Sequence, residues 1–335
     1  LAVSAIQNDP RLKLLHAWLL TQLTSEFSME TVSADASFRR YYRVHHAGST
    51  TIAVDSPPSH ENNAAFLHCT HLLNKHHQRV PEILAIDEVQ GFMLLSDFGD
   101  RLLLNELNSN NVDQHYRTAI NSLHDLQRVP CDSLPDYDRE RLLTEMQLFP
   151  DWLLQRHLNI KLNTDEQVQL NRIFGLLADN ALEQPQVFVH RDFHSRNLML
   201  LDTAEHTDQI GLIDYQDAVC GAISYDLVSL LRDCYISWPS SQIDSWLDAF
   251  YQPIAAQLAV DRPQFQRWFD WMGIQRHLKA SGIFCRLNYR DNKPTYLNDI
   301  ALTLNYIEQV TARYTELTPL LQIVRRVQKK IAGVT

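Results

Sequence analysis

The chain has 335 residues, 45% of them hydrophobic and 21% charged, which excludes a disordered or fibrous protein. Thirty basic against forty acidic side chains give a formal net charge of −10, so bulk charge offers no help in binding nucleic acid or an anionic membrane surface. No apolar run approaches the roughly 20 residues that span a bilayer.

The opening stretch LAVSAIQNDPRLKLLHAWLL lacks the basic start and cleavage site of a signal peptide. The five cysteines, Cys69, Cys131, Cys220, Cys234 and Cys285, are odd in number, widely spaced and without a CxxC pair. The expectation is no disulfide framework, no cysteine zinc site and a cytoplasmic setting. With 9 glycines, the chain has no GxGxxG or GxxxxGK[ST] phosphate signature.

Asp9-Pro10 reads as an N-cap followed by Pro at the first helical position, opening a helix to about Leu23 with Leu15, Trp18 and Leu19 on one face. From Phe27, β-branched and aromatic runs broken by Ala-Asp-Ala-Ser and His-Ala-Gly-Ser predict a meander of about three strands. A helix over about 61–77 and the strand-like runs EILAIDE and GFMLLSDF follow. The rest is mostly helical. Val112, Tyr116, Ile120, Leu123 and Leu126 mark one helix, and Thr164 to Gln167 reads as a capping box before another. Periodic stretches also cover about 241–258, 263–285, 297–314 and 319–332, with Trp246, Trp268 and Trp271 expected in the core. The basic end of the last helix is read as a solvated face.

One β-rich island, residues 186–217, interrupts the helices. It holds strand-like runs at 186–189, 198–201 and 210–213, the last two joined by a polar hairpin loop. If Leu201 pairs with Ile210, Asn197 faces Asp214 at the open end of the hairpin, and His190 to Arg196 leads into that end. Asp192, Asn197 and Asp214 then converge: two hard oxygen ligands of the kind magnesium takes beside substrate phosphates, and one carboxylate left to act as a base. A one-residue slip in register would undo this arrangement. His190, Asp192 and His194 also alternate as metallohydrolase ligands do, but the chain has no strong second His/Asp cluster.

HRDFHSRN and IDYQD resemble the catalytic loop and metal-binding aspartate segment of protein-kinase-like phosphotransferases, closest to the aminoglycoside phosphotransferase and choline kinase family. The resemblance covers nearly the whole chain. It implies an α+β, protein-kinase-like two-lobed fold: residues 1–95 as an N-terminal lobe with a leading helix, antiparallel sheet and one helix, 96–103 as a hinge, and 104–335 as a helical C-terminal lobe carrying the catalytic and metal-binding loops. It implies Asp192 as the catalytic base, Asn197 and Asp214 as magnesium ligands, and ATP as the phosphoryl donor. Asp226, in GAISYDLVSLL, resembles the aspartate that braces the catalytic loop.

ADASFRRYYR, LLSDFG, LFPDW and GIFCRLNYRDNKPTYLND further resemble the bacterial cell-wall-recycling kinases, which phosphorylate the anomeric hydroxyl of N-acetylmuramate and N-acetylglucosamine. The nucleotide-side candidates are Ser37, Phe38 and Arg39 in the first turn and Ser96, Asp97 and Phe98 at the hinge. Arg286 and Arg290 are the substrate-side candidates, in a basic stretch that suits a neutral or anionic sugar better than a cationic drug. One departure stands out. The third strand of the family ends in a phosphate-contacting Lys, whereas IAVD places Asp55 there; Arg39, Arg40 and Arg43 are candidate replacements, and Glu61 loses its assured ion-pair role. The expected partner is a small-molecule amino sugar, with no nucleic acid, membrane or obligate protein partner. Two alternatives stay open: a kinase of aminoglycosides or other small alcohols, and a catalytically silent nucleotide-binding scaffold.

Overall fold

Asp9 caps the first helix, its side chain accepting the Leu12 N–H at 3.0 Å. The computed structural model describes residues 8–34, 38–202 and 209–333. Two compact units emerge, Leu1–Arg101 with Met199–Asp217, and Leu102–Leu198 with Ala218–Thr335.

In the first unit, helix α1 (Pro10–Gln22) lies on an antiparallel sheet of β1 (Phe27–Ala34), β2 (Arg40–His46), β3 (Ser49–Asp55), β4 (Ile83–Asp87) and β5 (Phe92–Ser96) in the order β1-β2-β3-β5-β4. Helix α2 (Asn63–Lys75) joins β3 to β4. Leu12, Leu15, Trp18 and Leu19 of α1 form a core with Met29, Tyr42, Val44, Ala53, Phe92 and Leu94. Tyr42 with Val44, and Phe92 with Leu94, show the period-two spacing of one sheet face. Each fully buried side chain of this kind contributes about 1.5–3 kcal/mol.

The strands Leu198–Leu201 and Gln209–Leu212 pair as the expected hairpin. Residues 199–217 cluster with the first unit. Backbone bonds tie them there: Leu200 N–H donates to Arg101 O at 2.8 Å, and Leu212 N–H to Arg79 O at 2.8 Å. A Cβ on Gly211 would stand 2.8 Å from the Phe98 ring, so only glycine lets that ring lie on the strand.

The second unit is built around helix α8 (Arg262–Asp291), 30 residues long. Before it come α3 (Val112–Leu126), α4 (Arg139–Leu148), α5 (Thr164–Leu182), α6 (Tyr225–Leu231) and α7 (Ser240–Tyr251); after it come α9 (Ile300–Thr311) and α10 (Thr318–Ile331). A π-helical stretch, Phe149–His157, continues α4 and packs on α8. A Cβ on Gly282 of α8 would stand 2.4 Å from the Leu148 carbonyl, so the two backbones touch there. Trp246, Trp268 and Trp271 are buried, as expected.

Two expectations shift. The capping box belongs to Asn163 and Glu166, not Thr164 and Gln167: Asn163 Oδ1 accepts the Glu166 N–H and Glu166 Oε2 accepts the Asn163 N–H, each at 2.9 Å. Asn is as good an N-cap as Thr or better, so the helix starts one residue earlier. Cys131 and Cys220, 89 residues apart, form a disulfide, contrary to the reading of unpaired cysteines. The loop after Cys131 docks on the strand Val219–Ala222, where Cys220 N–H donates to Pro135 O and Tyr137 N–H to Cys220 O. Among the described residues no helix is long and apolar enough to cross a membrane.

Candidate active site

The HRDFHSRN segment follows the strand Gln186–Val189, which pairs antiparallel with Val219–Ala222. Two buried carboxylates of the second unit hold it by its backbone. Asp226, at the start of α6, accepts the N–H groups of His190 at 2.6 Å and Arg191 at 3.0 Å. Asp233 accepts the Ser195 N–H at 3.0 Å and its hydroxyl at 2.5 Å, and also the Tyr235 N–H at 3.0 Å. Arg191 sits at φ 76°, a left-handed conformation that few non-glycine residues adopt. Its guanidinium bonds Glu145 at 2.5 Å. The same Glu145 faces Lys279 at 3.5 Å and accepts the Tyr137 hydroxyl. His190 is fully buried and takes the Asp192 N–H on Nδ1 at 3.3 Å, a loop-bracing role.

With its backbone held, the segment leaves the Asp192 side chain 40% exposed. Burial pushes its carboxyl up, but Lys279, Arg276 and Arg191 outweigh this and hold it below the ordinary range, with His194 adding only when protonated. His194 is itself driven toward the neutral form by burial, so the standing attraction comes from the lysine and arginines. Asp192 is therefore ionised at neutral pH, as a proton acceptor must be. The Asn197 amide nitrogen donates to Asp192 O at 3.1 Å. That bond fixes the amide and turns its carbonyl oxygen to the other side.

The first unit carries the other residues. Asp214 is held at φ 66°, again left-handed, and accepts a bond from Gln216 at 2.8 Å. Tyr215 is buried, stacks on Phe66 of α2 with ring centroids 5.5 Å apart, and shares a hydrogen bond with Thr70 at 3.0 Å. Arg39 lies over the same Phe66 ring, 5.6 Å from its centroid. Arg39 is buried, donates to Ser56 Oγ at 3.1 Å and faces Glu61 at 3.5 Å. Glu61 also accepts the Phe38 N–H at 2.9 Å. Glu61 therefore does have a cationic partner, supplied from beside β2 and not from the end of β3.

Asp55 is fully buried between two guanidiniums, with Arg11 Nε at 2.8 Å and Arg40 Nε at 3.0 Å. Arg40 is shared further with Asp9. Arg43 is taken by Asp97 at 2.6 Å and Asp100 at 2.6 Å. Of the three arginines weighed for the absent Lys, Arg39 is the one that meets Glu61.

Phe38 is exposed and stacks on His60, centroids 4.5 Å apart. Ser37 lies outside the described residues. Ser96 exchanges bonds with Glu82 across the sheet, and Asp97 accepts the Gly99 N–H at 2.8 Å, so both side chains shape the turn. Arg290 is closed on Asp291 by two bonds of 2.9 Å, whereas Arg286 is half-buried with no partner for its Nε. Asp233 and Glu145 were not evident from sequence. Glu145 stands 46 residues before Arg191, and no local pattern marks such a pair.

The phosphotransferase enzyme family matches residues 28–268 of the chain. The chain belongs to that family. The N-acetylmuramate/N-acetylglucosamine kinase of Pseudomonas putida is 38% identical over 96% of this chain and 98% of its own length. The enzyme of the same name from Neisseria meningitidis is 38% identical over 91% of this chain and 92% of its own. Among solved structures, a Plasmodium vivax ethanolamine kinase superposes with TM-score 0.66 at 11% identity, covering 95% of this chain and 89% of its own. An ADP-bound aminoglycoside phosphotransferase gives TM-score 0.59 at 12% identity, covering 88% and 97%. This phosphotransferase is thus an enzyme of protein-kinase-like α+β fold, a kinase acting on a small-molecule hydroxyl.

Among the described residues no group of three or more His, Cys, Asp or Glu could hold a metal ion. Asn197, in the second unit, and Asp214, in the first, each offer a hard oxygen, one amide and one carboxylate, the donor types that magnesium takes.

Proposed function

We propose that this kinase transfers the γ-phosphoryl group of ATP to the anomeric hydroxyl of N-acetylmuramate and N-acetylglucosamine. The observation that carries the reading is the 38% identity to a kinase of that name along 98% of its length. Asp192 accepts the proton of the C1 hydroxyl as the oxygen attacks the γ-phosphorus, and the bond to the ADP oxygen breaks in line. Asn197 and Asp214 would hold magnesium, which would supply positive charge to the phosphate oxygens. Arg39, steadied by Glu61 and Phe66, supplies positive charge on the nucleotide side, with the backbone about Ser37 and Phe38 and of Ser96, Asp97 and Phe98 as further contacts. Because the loop is held by Asp226 and Asp233 before substrate arrives, the base needs little reorganisation. We place the activity in the cytoplasm, where ATP is available.

The test is ADP release with ATP and magnesium against both sugars and kanamycin, with the product's phosphate position assigned by NMR. Phosphorylation at C1 of the two sugars supports the reading. Rapid turnover of kanamycin with neither sugar consumed overturns the substrate class. Nucleotide binding without turnover of any hydroxyl compound favours a silent scaffold.

A further inference from the structure

Among the described residues, seven that are not glycine adopt a positive φ. Ala47 turns the β2–β3 hairpin, and His77, Asn159, Ala259 and Asn292 each stand just past the end of a helix, where chains commonly turn left-handed. The other two are Asp214 and Arg191. Arg191 is the residue before Asp192 and stands at no helix end, yet its φ is 76°. A non-glycine residue keeps such a conformation only where its surroundings over-determine it.

Arg191 is held at both ends. Its backbone N–H donates to Asp226 at 3.0 Å, and its guanidinium donates to Glu145 Oε1 at 2.5 Å. The Arg191 and Glu145 side chains are each 13% exposed, so solvent does not screen the pair as it does on a surface. Burial pushes the Glu145 carboxyl up, but Lys279, Arg191 and the Tyr137 hydroxyl together bring it below the ordinary range, so it is ionised. Its other two contacts belong to the surrounding scaffold. Lys279 of α8, 3.5 Å away, also donates to the Tyr225 hydroxyl of α6 at 3.0 Å. Tyr137 donates its hydroxyl to Glu145, and its ring centroid lies 5.6 Å from the Arg191 guanidinium. The Tyr137 N–H in turn donates to Cys220 O at 2.8 Å. Asp226 fixes where Arg191 begins and Glu145 fixes where its side chain ends. A residue pinned at both points cannot rotate φ back to the ordinary region without breaking one of the bonds, and that φ places the next residue, Asp192.

We propose that Glu145 is a positioning residue for Asp192: by holding the Arg191 guanidinium it keeps Arg191 left-handed and so sets the direction from which the Asp192 carboxylate meets the acceptor hydroxyl. This assignment rests on the reading of Asp192 as the base.

The experiment measures kcat, the KM values for ATP and acceptor, and the thermal midpoint, with magnesium and whichever acceptor of the panel above is turned over. The variants are Glu145→Gln, Glu145→Asp, Arg191→Gly and the double variant Arg191→Gly/Glu145→Gln, with Asp192→Ala as reference. Glu145→Gln should lower kcat about ten- to a hundredfold, the scale of a misplaced catalytic group, with both KM values within about threefold of wild type. Glu145→Asp keeps the charge but shortens the reach, and should give an intermediate kcat. Should Glu145→Gln fail to fold, Glu145→Asp carries the test, and a wild-type kcat in it overturns the proposal. Glycine adopts a positive φ without an anchor. Whatever rate Arg191→Gly keeps, adding Glu145→Gln to it should change kcat by less than about twofold. A Glu145 that only stabilises the fold would lower the thermal midpoint and leave kcat unmoved, and that result overturns the proposal. An undiminished loss in the Arg191→Gly background also overturns it, because the effect would then run through Lys279. So does an Arg191→Gly protein that folds without measurable turnover. Asp192→Ala with kcat near wild type, or a wild type that turns over no acceptor, removes the reading of Asp192 as the base and this assignment with it. A large loss in Asp192→Ala beside an unimpaired Glu145→Gln removes this assignment alone.

Discussion

The Tyr215 hydroxyl and Thr70 Oγ1 meet at 3.0 Å, both buried, which fastens the residue after Asp214 to helix α2. Tyr215→Phe and Thr70→Val should each lower stability by about 0.5–1.5 kcal/mol, the net worth of a hydrogen bond, with more if the remaining hydroxyl is left unsatisfied. The double variant should cost less than the two single losses added. Urea unfolding of the four proteins measures the coupling, and strict additivity would show that the bond does not link the two elements.

Asp55 stands between Arg11 and Arg40, so the family's Lys cannot simply be restored here. Asp55→Lys would gather three cations at a buried point, and Asp55→Ala would leave two guanidiniums without their anion. Breaking one side of a buried pair costs about 3–5 kcal/mol. Both variants should show lower thermal midpoints, and the Lys variant should gain no activity. An active and stable Asp55→Lys protein would mean that the clamp is dispensable.

Arg39 carries the phosphate-side charge in the proposed reaction. Arg39→Ala should raise the KM for ATP by about ten- to a hundredfold. Glu61→Gln should give a smaller rise, because it steadies Arg39 from one side only. An ATP KM unchanged in Arg39→Ala would return the role to another residue.

Asp192→Ala should reduce kcat by about 10²–10⁴-fold, the usual worth of a general base, with little change in nucleotide affinity. Asp214→Asn should weaken magnesium-dependent ATP binding and turnover together, because an amide supplies a dipole where the carboxylate supplies charge. Calorimetric titration beside steady-state rates separates the two patterns.

Burial pushes the Asp226 carboxyl up to about 7, against the two N–H donors that favour its ionised form. A folded value above the ordinary 3.8 means that the folded state holds this proton more tightly than the unfolded chain. Its contribution is complete below the ordinary value and is lost as pH rises through about 7. Stability should therefore decline between mildly acidic and mildly alkaline pH. Asp226→Asn should flatten that slope while lowering the whole curve, since one backbone N–H then faces an amide –NH₂. Denaturant unfolding across this range checks both effects.

How much of this was legible in the sequence depends on how local each signal is. The hairpin, its flanking HRDFHSRN and IDYQD, and the Asp9 cap were readable because strand period, turn composition and capping act within a few residues. The capping box was displaced by one residue because Asn163 and Thr164 are both good caps, and only the backbone N–H at the third position decides between them. The Arg39–Glu61 pair could not be read, since three neighbouring arginines share six carboxylates and the strand pairing Arg40↔Asp55 settles which goes where. The Cys131–Cys220 bond and the Glu145 contacts depend on chain segments distant in sequence, for which spacing gives no cue.

Gly282 gives helix α8 a fixed zero along its length. Where its backbone touches the Leu148 carbonyl, a slide by one residue in either direction would bring a side-chain carbon, from Ser281 or Ile283, into that carbonyl. The helix is pinned against axial drift in the way a notch pins a rule. Arg276 lies six residues before the notch, about 9 Å along the axis at the rise of an α-helix. The height of its guanidinium is thus indexed by a residue that carries no chemistry. Gly282→Ala, conservative by size, should cost stability out of proportion to one methyl group, because that carbon has no room beside the Leu148 carbonyl.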